Sequence, residues 1–145
     1  MTQRLRLVPS PAVAPSRVPG DATEAARPGG RPPQLELAFT SRQDWQAGLG
    51  RVLPLECSVA DPQSFECSAI VGRLHGQTVA ELRMDAARLT RRETHIGAPD
   101  HELVQVLWLL AGRCRVRQGP GQAMLTEGGW TLVDPAREYS LQLDQ

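Results

Sequence analysis

The stretch T-E-G-G-W-T-L-V-D-P-A-R-E-Y-S-L-Q, residues 126 to 142, decides the fold class. Its Gly-Gly pair supplies a turn, W-T-L-V reads as a short strand and Asp134-Pro135 as a corner. From Tyr139 onward Y-S-L-Q-L alternates, with Tyr139, Leu141 and Leu143 on one face. This is the pattern of a small β-barrel wall. Barrels of this kind often hold a metal, yet a tyrosine stands where a metal site would need a histidine.

The same pattern extends backwards. R-C-R-V-R-Q, residues 113 to 118, alternates strictly, with Cys114 and Val116 inward and Arg113, Arg115 and Arg117 outward. G-P-G is a turn and Q-A-M-L a short strand. L-V-Q-V-L-W-L-L, residues 103 to 110, is the most apolar run and reads as a central strand buried on both faces. Upstream, Phe65, Cys67, Ala69 and Val71 alternate, His75-Gly76 marks a hairpin turn, and Ala80, Leu82 and Met84 share a face. D-A-A-R-L-T-R-R-E-T-H-I fits either an extended strand or a helical turn, and G-A-P-D-H is a loop. Many short strands separated by turns indicate a sandwich or barrel rather than βαβ units.

The first ordered element expected is a helix. Thr40 or Ser41 caps it, and Trp45, Leu49 and Val52 or Leu53 form its apolar stripe. Gly48 and Gly50 weaken it and Pro54 ends it. Residues 1–33, rich in Pro, Gly, Ala and Arg, read as a disordered tail with too few large side chains to offset ordering. The organisation expected is therefore a tail over 1–33 and one domain over 34–145.

Composition excludes several classes. Sixteen basic residues, all arginine, balance sixteen acidic ones, so no global field attracts nucleic acid. No apolar run approaches the ~20 residues that cross a bilayer, and no signal peptide is visible, so a cytoplasmic location without membrane contact is expected. Cys57, Cys67 and Cys114 form no C-x-x-C pair and read as packed thiols of a reducing compartment.

Chemistry is equally sparse. His75, His95 and His101 match no common ligand spacing, so no metal and no cofactor is expected. No G-x-S-x-G elbow exists, and G-P-G-Q lacks the lysine of a phosphate loop. Arg91-Arg92 and the Arg113, Arg115, Arg117 stripe read as solvated surface. Catalysis is not expected. What remains is shape: a barrel interior can hold one small ligand. The strand phases nominate Trp108, Trp130 and Tyr139 as its aromatic lining, with core filling as the alternative.

The order and spacing of Gly112-Arg113, Val116, Gln118, Gly121, Leu125, Gly128, Leu132, Asp134 and Tyr139 resemble the N-terminal sensor domain of AraC-type transcription regulators, in the branch with a cupin-like barrel. W-Q-A-G-L-G-R-V-L-P-L and A-R-L-T-R-R-E-T extend the resemblance over about residues 42 to 145. Two positions depart from the family pattern. Gly129 replaces an aspartate, which is expected to loosen the turn, and Glu138 replaces a proline, which is expected to change how the last strand pairs.

The resemblance implies a mainly β, cupin-like (double-stranded β-helix or jelly-roll) barrel, preceded by one short α-helix and the tail. It implies an effector-sensing domain, with an unidentified small molecule and a second copy in a homodimer as partners. Family members reach DNA through a C-terminal helix-turn-helix domain. That domain would follow residue 145, so the reading is of a truncated regulator with an incomplete barrel. An unpaired strand edge near Leu141 and Leu143, marginal stability and self-association are then expected. A stand-alone non-metal cupin-like binding protein, or an inactive fragment of a disrupted gene, is the alternative.

Overall fold

Side chains that alternate every second residue give most of this chain one apolar and one polar face, and two sheets bury the apolar faces against each other. The computed structural model describes residues 2–8, 34–74, 77–97 and 103–144. Its strands are β1 (Gln3–Val8), β2 (Gln34–Phe39), β3 (Glu56–Ser58), β4 (Cys67–Leu74), β5 (Gln77–Met84), β6 (Ala87–Arg91), β7 (Gln105–Ala111), β8 (Arg113–Gln118), β9 (Gly121–Thr126), β10 (Trp130–Val133) and β11 (Tyr139–Asp144). They form a six-stranded sheet A, in the order β10-β7-β1-β5-β4-β2, and a five-stranded sheet B, β3-β6-β11-β8-β9. All pairings are antiparallel. The architecture is a mainly β, cupin-like sandwich, and its two sheets do not close into a barrel.

Helix α1 (Arg42–Gly48) follows β2. The Ser41 hydroxyl accepts the Asp44 amide at 3.1 Å and so caps it. After Gly48 the helix tightens into a 3₁₀ turn over Leu49–Arg51, which contains Gly50. Trp45, Leu49 and Leu53 are buried, whereas Val52 turns outward. The Trp45 indole N–H donates to the Leu55 carbonyl, so this ring is buried without a lost hydrogen bond.

Four expectations need correction. The tail over 1–33 is not a tail at its start: Gln3–Val8 forms β1, between β5 and β7 in the middle of sheet A. Leu5 and Leu7 are buried there, while residues 9–33 lie outside the described residues. The helix is therefore not the first ordered element; β1 and β2 precede it. The apolar run 103–110 is buried on one face only. Gln105, Leu107 and Leu109 point inward, Val106 and Leu110 are half-buried, and Val104 and Trp108 are exposed. Finally, β11 is no edge. It pairs with β6 on one side and β8 on the other, and Leu141 and Leu143 are fully buried.

Other expectations hold. Phe65, Cys67, Ala69, Ala80, Leu82, Met84, Cys114, Val116, Tyr139, Leu141 and Leu143 all join the core. The segment after Asp85 does both things open to it: β6 is extended, and a 3₁₀ turn over Glu93–His95 follows. Leu74 pairs with Gln77 as a two-residue hairpin requires, although His75-Gly76 lies outside the described residues, as does most of G-A-P-D-H. Gly129 tightens its turn rather than loosening it. Its N–H donates to the Thr126 carbonyl, and a Cβ there would lie 2.8 Å from that oxygen. Glu138 accepts the Glu93 amide at 3.1 Å and ties the start of β11 to the 3₁₀ turn.

The outer face of sheet A carries one charged cluster. Glu81 on β5 accepts from Arg4 at 2.6 Å and from Arg6 at 2.8 Å, with Arg83 at 3.4 Å. Burial pushes this carboxyl up, but the hydrogen bonds and charges of Arg4 and Arg6 outweigh it and hold it at about 2. A carboxyl depressed in the folded state stabilises fully above its unfolded value of 4.5, and that contribution is lost as pH falls toward 2. Glu81→Gln is expected to lower stability at pH 7 and to flatten the stability profile between those two pH values. Denaturant melts across that range read this directly.

Candidate functional site

One cross-strand row on the inner face of sheet B breaks the apolar interior. Arg91 at the end of β6 lies opposite Tyr139, and Tyr139 lies opposite Gln118 at the end of β8. Gln105, at the start of β7 in sheet A, completes the group. The Tyr139 hydroxyl donates to Gln105 Oε1 at 2.6 Å, a bond that crosses from one sheet to the other. Gln118 holds the Asp134 corner from both sides: its Nε2 donates to the Asp134 carbonyl at 2.7 Å and its Oε1 accepts the Asp134 amide at 2.9 Å. Every buried polar side-chain atom among the described residues has a partner, so this layer is a fixed frame.

Arg91 was expected to be a solvated surface arginine beside Arg92. It is buried instead, donating from Nε to the Pro135 carbonyl at 2.8 Å and from Nη1 to the Pro54 carbonyl at 3.5 Å. Arg92, just past the end of β6, does face water and pairs with Glu56 on β3, which holds the Glu56 carboxyl below its usual range. His95 accepts the Arg92 amide at Nδ1, which requires a neutral ring. Partial burial, and then Arg91, hold its imidazole below its usual value in keeping with that role.

A groove of about 240 Å³ opens on the outer face of sheet B, lined by Thr90, Arg92, Arg117, Glu138 and Ser140. Thr90, Ser140 and Arg117 form the next cross-strand row and point away from the interior, so the backbone of β6 and β11 separates the groove from the inward Arg91 and Tyr139 side chains. Its size and openness suit a small polar molecule rather than a drug-sized one. A second cleft, about 170 Å³, lies between Asp61, Phe65, Glu66, Met84 and Asp85.

The three aromatic candidates separate. Tyr139 points inward and anchors the polar end. Trp108 and Trp130 do not line an interior: they stand directly opposite each other on the outer face of β7 and β10, 42% and 64% exposed. Arg6 lies 5.5 Å from the Trp108 ring centre, a cation–π contact. The interior they were expected to line is filled by Leu5, Leu7, Leu82, Leu89, Leu107, Leu109, Leu141 and Leu143.

Comparison with protein-family models yields a match to the AraC-binding-like domain over residues 45–145. The chain belongs to the AraC-binding-like domain family. This supports an effector-binding regulatory domain and agrees with the cupin-like sandwich. No curated protein and no solved structure matches significantly. The family match begins at Trp45, so β1 and β2 lie ahead of it.

The AraC-binding-like domain here carries no reactive thiol among its described residues. Burial pushes Cys57 up to about 11 and Cys67 and Cys114 to about 12, so all three are neutral at pH 7. Arg113 and Arg115 face away from Cys114 on their strand. Among the described residues no group of three His, Cys, Asp or Glu side chains could hold a metal, and His75 and His101 lie outside them. No helix among the described residues is long and apolar enough to cross a membrane.

Sequence periodicity found Tyr139 but missed Arg91, Gln105 and Gln118. Each ends or begins a strand, where alternation has too few neighbours to fix a face. The cross-sheet bond of Tyr139 to Gln105, 34 positions apart, leaves no local signal. Tyr139→Phe is expected to leave Gln105 Oε1 buried without that donor and to cost about 1–3 kcal/mol, measured by chemical denaturation.

Proposed function

We propose that this chain is the effector-sensing domain of an AraC-type transcription regulator, and that it takes its small-molecule effector at the polar end around Tyr139. The observation that carries the reading is an open polar groove on the outer face of sheet B, whose floor is held from beneath by the Arg91–Tyr139–Gln118 row and its bond to Gln105 across the sheets. Thr90, Ser140, Arg92, Arg117 and Glu138 offer that groove hydroxyl donors, two guanidiniums and one carboxylate. A small polar ligand with an anionic group and a hydrogen-bonding group matches this set. No step is catalytic. Ligand binding would bias the tie between the two sheets and so the arrangement presented to a DNA-binding half or to a second copy. In this reading DNA is met only through a helix-turn-helix domain outside residues 1–145.

A thermal-shift screen of small carboxylates and phosphates tests it, followed by calorimetry with Arg117→Ala and Ser140→Ala. A hit weakened tenfold or more by either variant is expected; hits that neither variant weakens would remove the groove from the proposal. A gel shift at moderate salt is expected to show no DNA binding by this chain alone. A stoichiometric metal in the purified protein would favour a different reading, a small cupin-like enzyme.

A further inference from the structure

Strand β1 fills a gap whose two walls, β5 and β7, both come from later in the chain. On one side it pairs with β5, Gln3 to Leu7 against Met84 to Ala80. On the other it pairs with β7, from Arg4 against Ala111 to Val8 against Val106. Take β1 away and sheet A falls into two pieces, β10-β7 and β5-β4-β2, each with a bare ladder edge. The slot is specific on both faces. Below, Leu5 and Leu7 join the core beside Leu82, Leu107 and Leu109. Above, Glu81 receives Arg4 and Arg6. At one end the Gln3 side chain donates to the Asp144 carbonyl and accepts the Arg113 amide, over a glycine, Gly112, that leaves it room.

All these partners lie at residue 80 or beyond. What joins β1 to them covalently is residues 9–33. Leu7, Ala80, Val71 and Leu35 form one cross-strand row, so β1 and β2 are three strand spacings apart, about 14 Å. A stretch of about 25 residues can span up to roughly 80 Å. The connection therefore far exceeds what the intrachain strand needs, and it reaches the same slot in a neighbouring molecule. The contacts made by β1 would be identical in either case; only the closure entropy of the connection separates the two.

We propose that the β5–β7 slot is a strand-acceptor site for β1 of a second copy of this chain, so that two molecules exchange their N-terminal strands and form a closed two-fold dimer. Two identical slots and two identical strands satisfy each other completely, which closes the assembly at two. Because β1 is central, exchange requires sheet A to open, so each form persists once made. Concentration during folding selects between them.

The test uses the full chain with Arg4→Cys and Arg83→Cys, which stand directly opposite each other on the outer face of β1 and β5. The protein is refolded at about 5 µM and at about 0.5 mM, which bracket the sub-millimolar range where trans pairing begins to compete with a long tether. The thiols are then bridged by oxidation or a short bismaleimide and run on a denaturing gel. Doubly bridged dimer from the concentrated sample and bridged monomer from the dilute one is the expected result; bridged monomer at both concentrations overturns the proposal. A single Arg4→Cys chain controls for random bridging. In a second variant a Gly-Ser dipeptide replaces residues 9–33, too short to reach from β1 to β2 within one chain. It is expected to fold as an obligate dimer by light scattering and circular dichroism. A folded monomer, or a chain unfolded at every concentration, overturns the proposal equally.

Discussion

Leu7→Ala is expected to lower the unfolding free energy by about 3 kcal/mol, within the usual range for a buried leucine truncated to alanine. Leu7 is wholly buried in β1, between Ala80 on β5 and Leu107 on β7. Removing it empties part of the core where β1 pins the two halves of sheet A together. An unstructured leader would give no change at all, so urea denaturation of this one variant decides whether the N-terminal residues are structural. A shift below about 0.5 kcal/mol, the size of an ordinary surface substitution, would refute β1 as a core strand. Comparing m-values adds a second reading. A chain that had lost β1 altogether would expose less surface on unfolding and show a smaller slope.

Gly112→Ala is the second large effect, roughly 3 kcal/mol or more. Two penalties coincide there. The backbone has φ +96°, where a side chain is strained by itself, and a Cβ would lie 1.5 Å from Gln3 Oε1. The Gln3 amide cannot simply swing away, because it holds both the Asp144 carbonyl and the Arg113 amide. The substitution therefore strikes the bridge between the first strand and the last one. A double-mutant cycle separates the two penalties. In a Gln3→Ala background the clash disappears, and Gly112→Ala should cost only the backbone term, about 1–2 kcal/mol. Equal costs in both backgrounds would show that Gln3 does not pack over Gly112.

The parts of this fold that were legible in advance are those where alternation runs long and one face is clearly polar. R-C-R-V-R-Q is the clearest: arginine on every outward position leaves no choice of face. The helix cap at Ser41 and the weakening of the helix at Gly48 and Gly50 follow equally from local chemistry. L-V-Q-V-L-W-L-L failed for the opposite reason. Both its faces are apolar, so period two identifies a strand without saying which side is inside. The packing chose against polarity, burying Gln105 and exposing Trp108. It could do so because Tyr139 satisfies the Gln105 amide oxygen, while Arg6 lies against the Trp108 ring. The N-terminal strand was hidden by averaging: the alternation of Q-R-L-R-L-V is plain, but the Pro- and Gly-rich stretch after it dominated the composition of 1–33.

Taken by itself, the sequence determined a mainly β chain of short strands and turns, because hydrophobic period and turn residues are local properties written along the chain; the AraC-type sensor family entered through the resemblance of its motifs, and the two unclosed sheets through the structure. The sequence determined too which face of most strands is buried. The tertiary structure decided which strands are neighbours, and with that everything about the candidate site. Arg91, Tyr139, Gln118 and Gln105 become one group only through pairings across 21 to 48 residues and between two sheets. The placement of β1 at the centre of sheet A is of the same origin. Hydrogen-bond ladders between strands depend on which edges meet in space, and no periodicity within a strand records its partner.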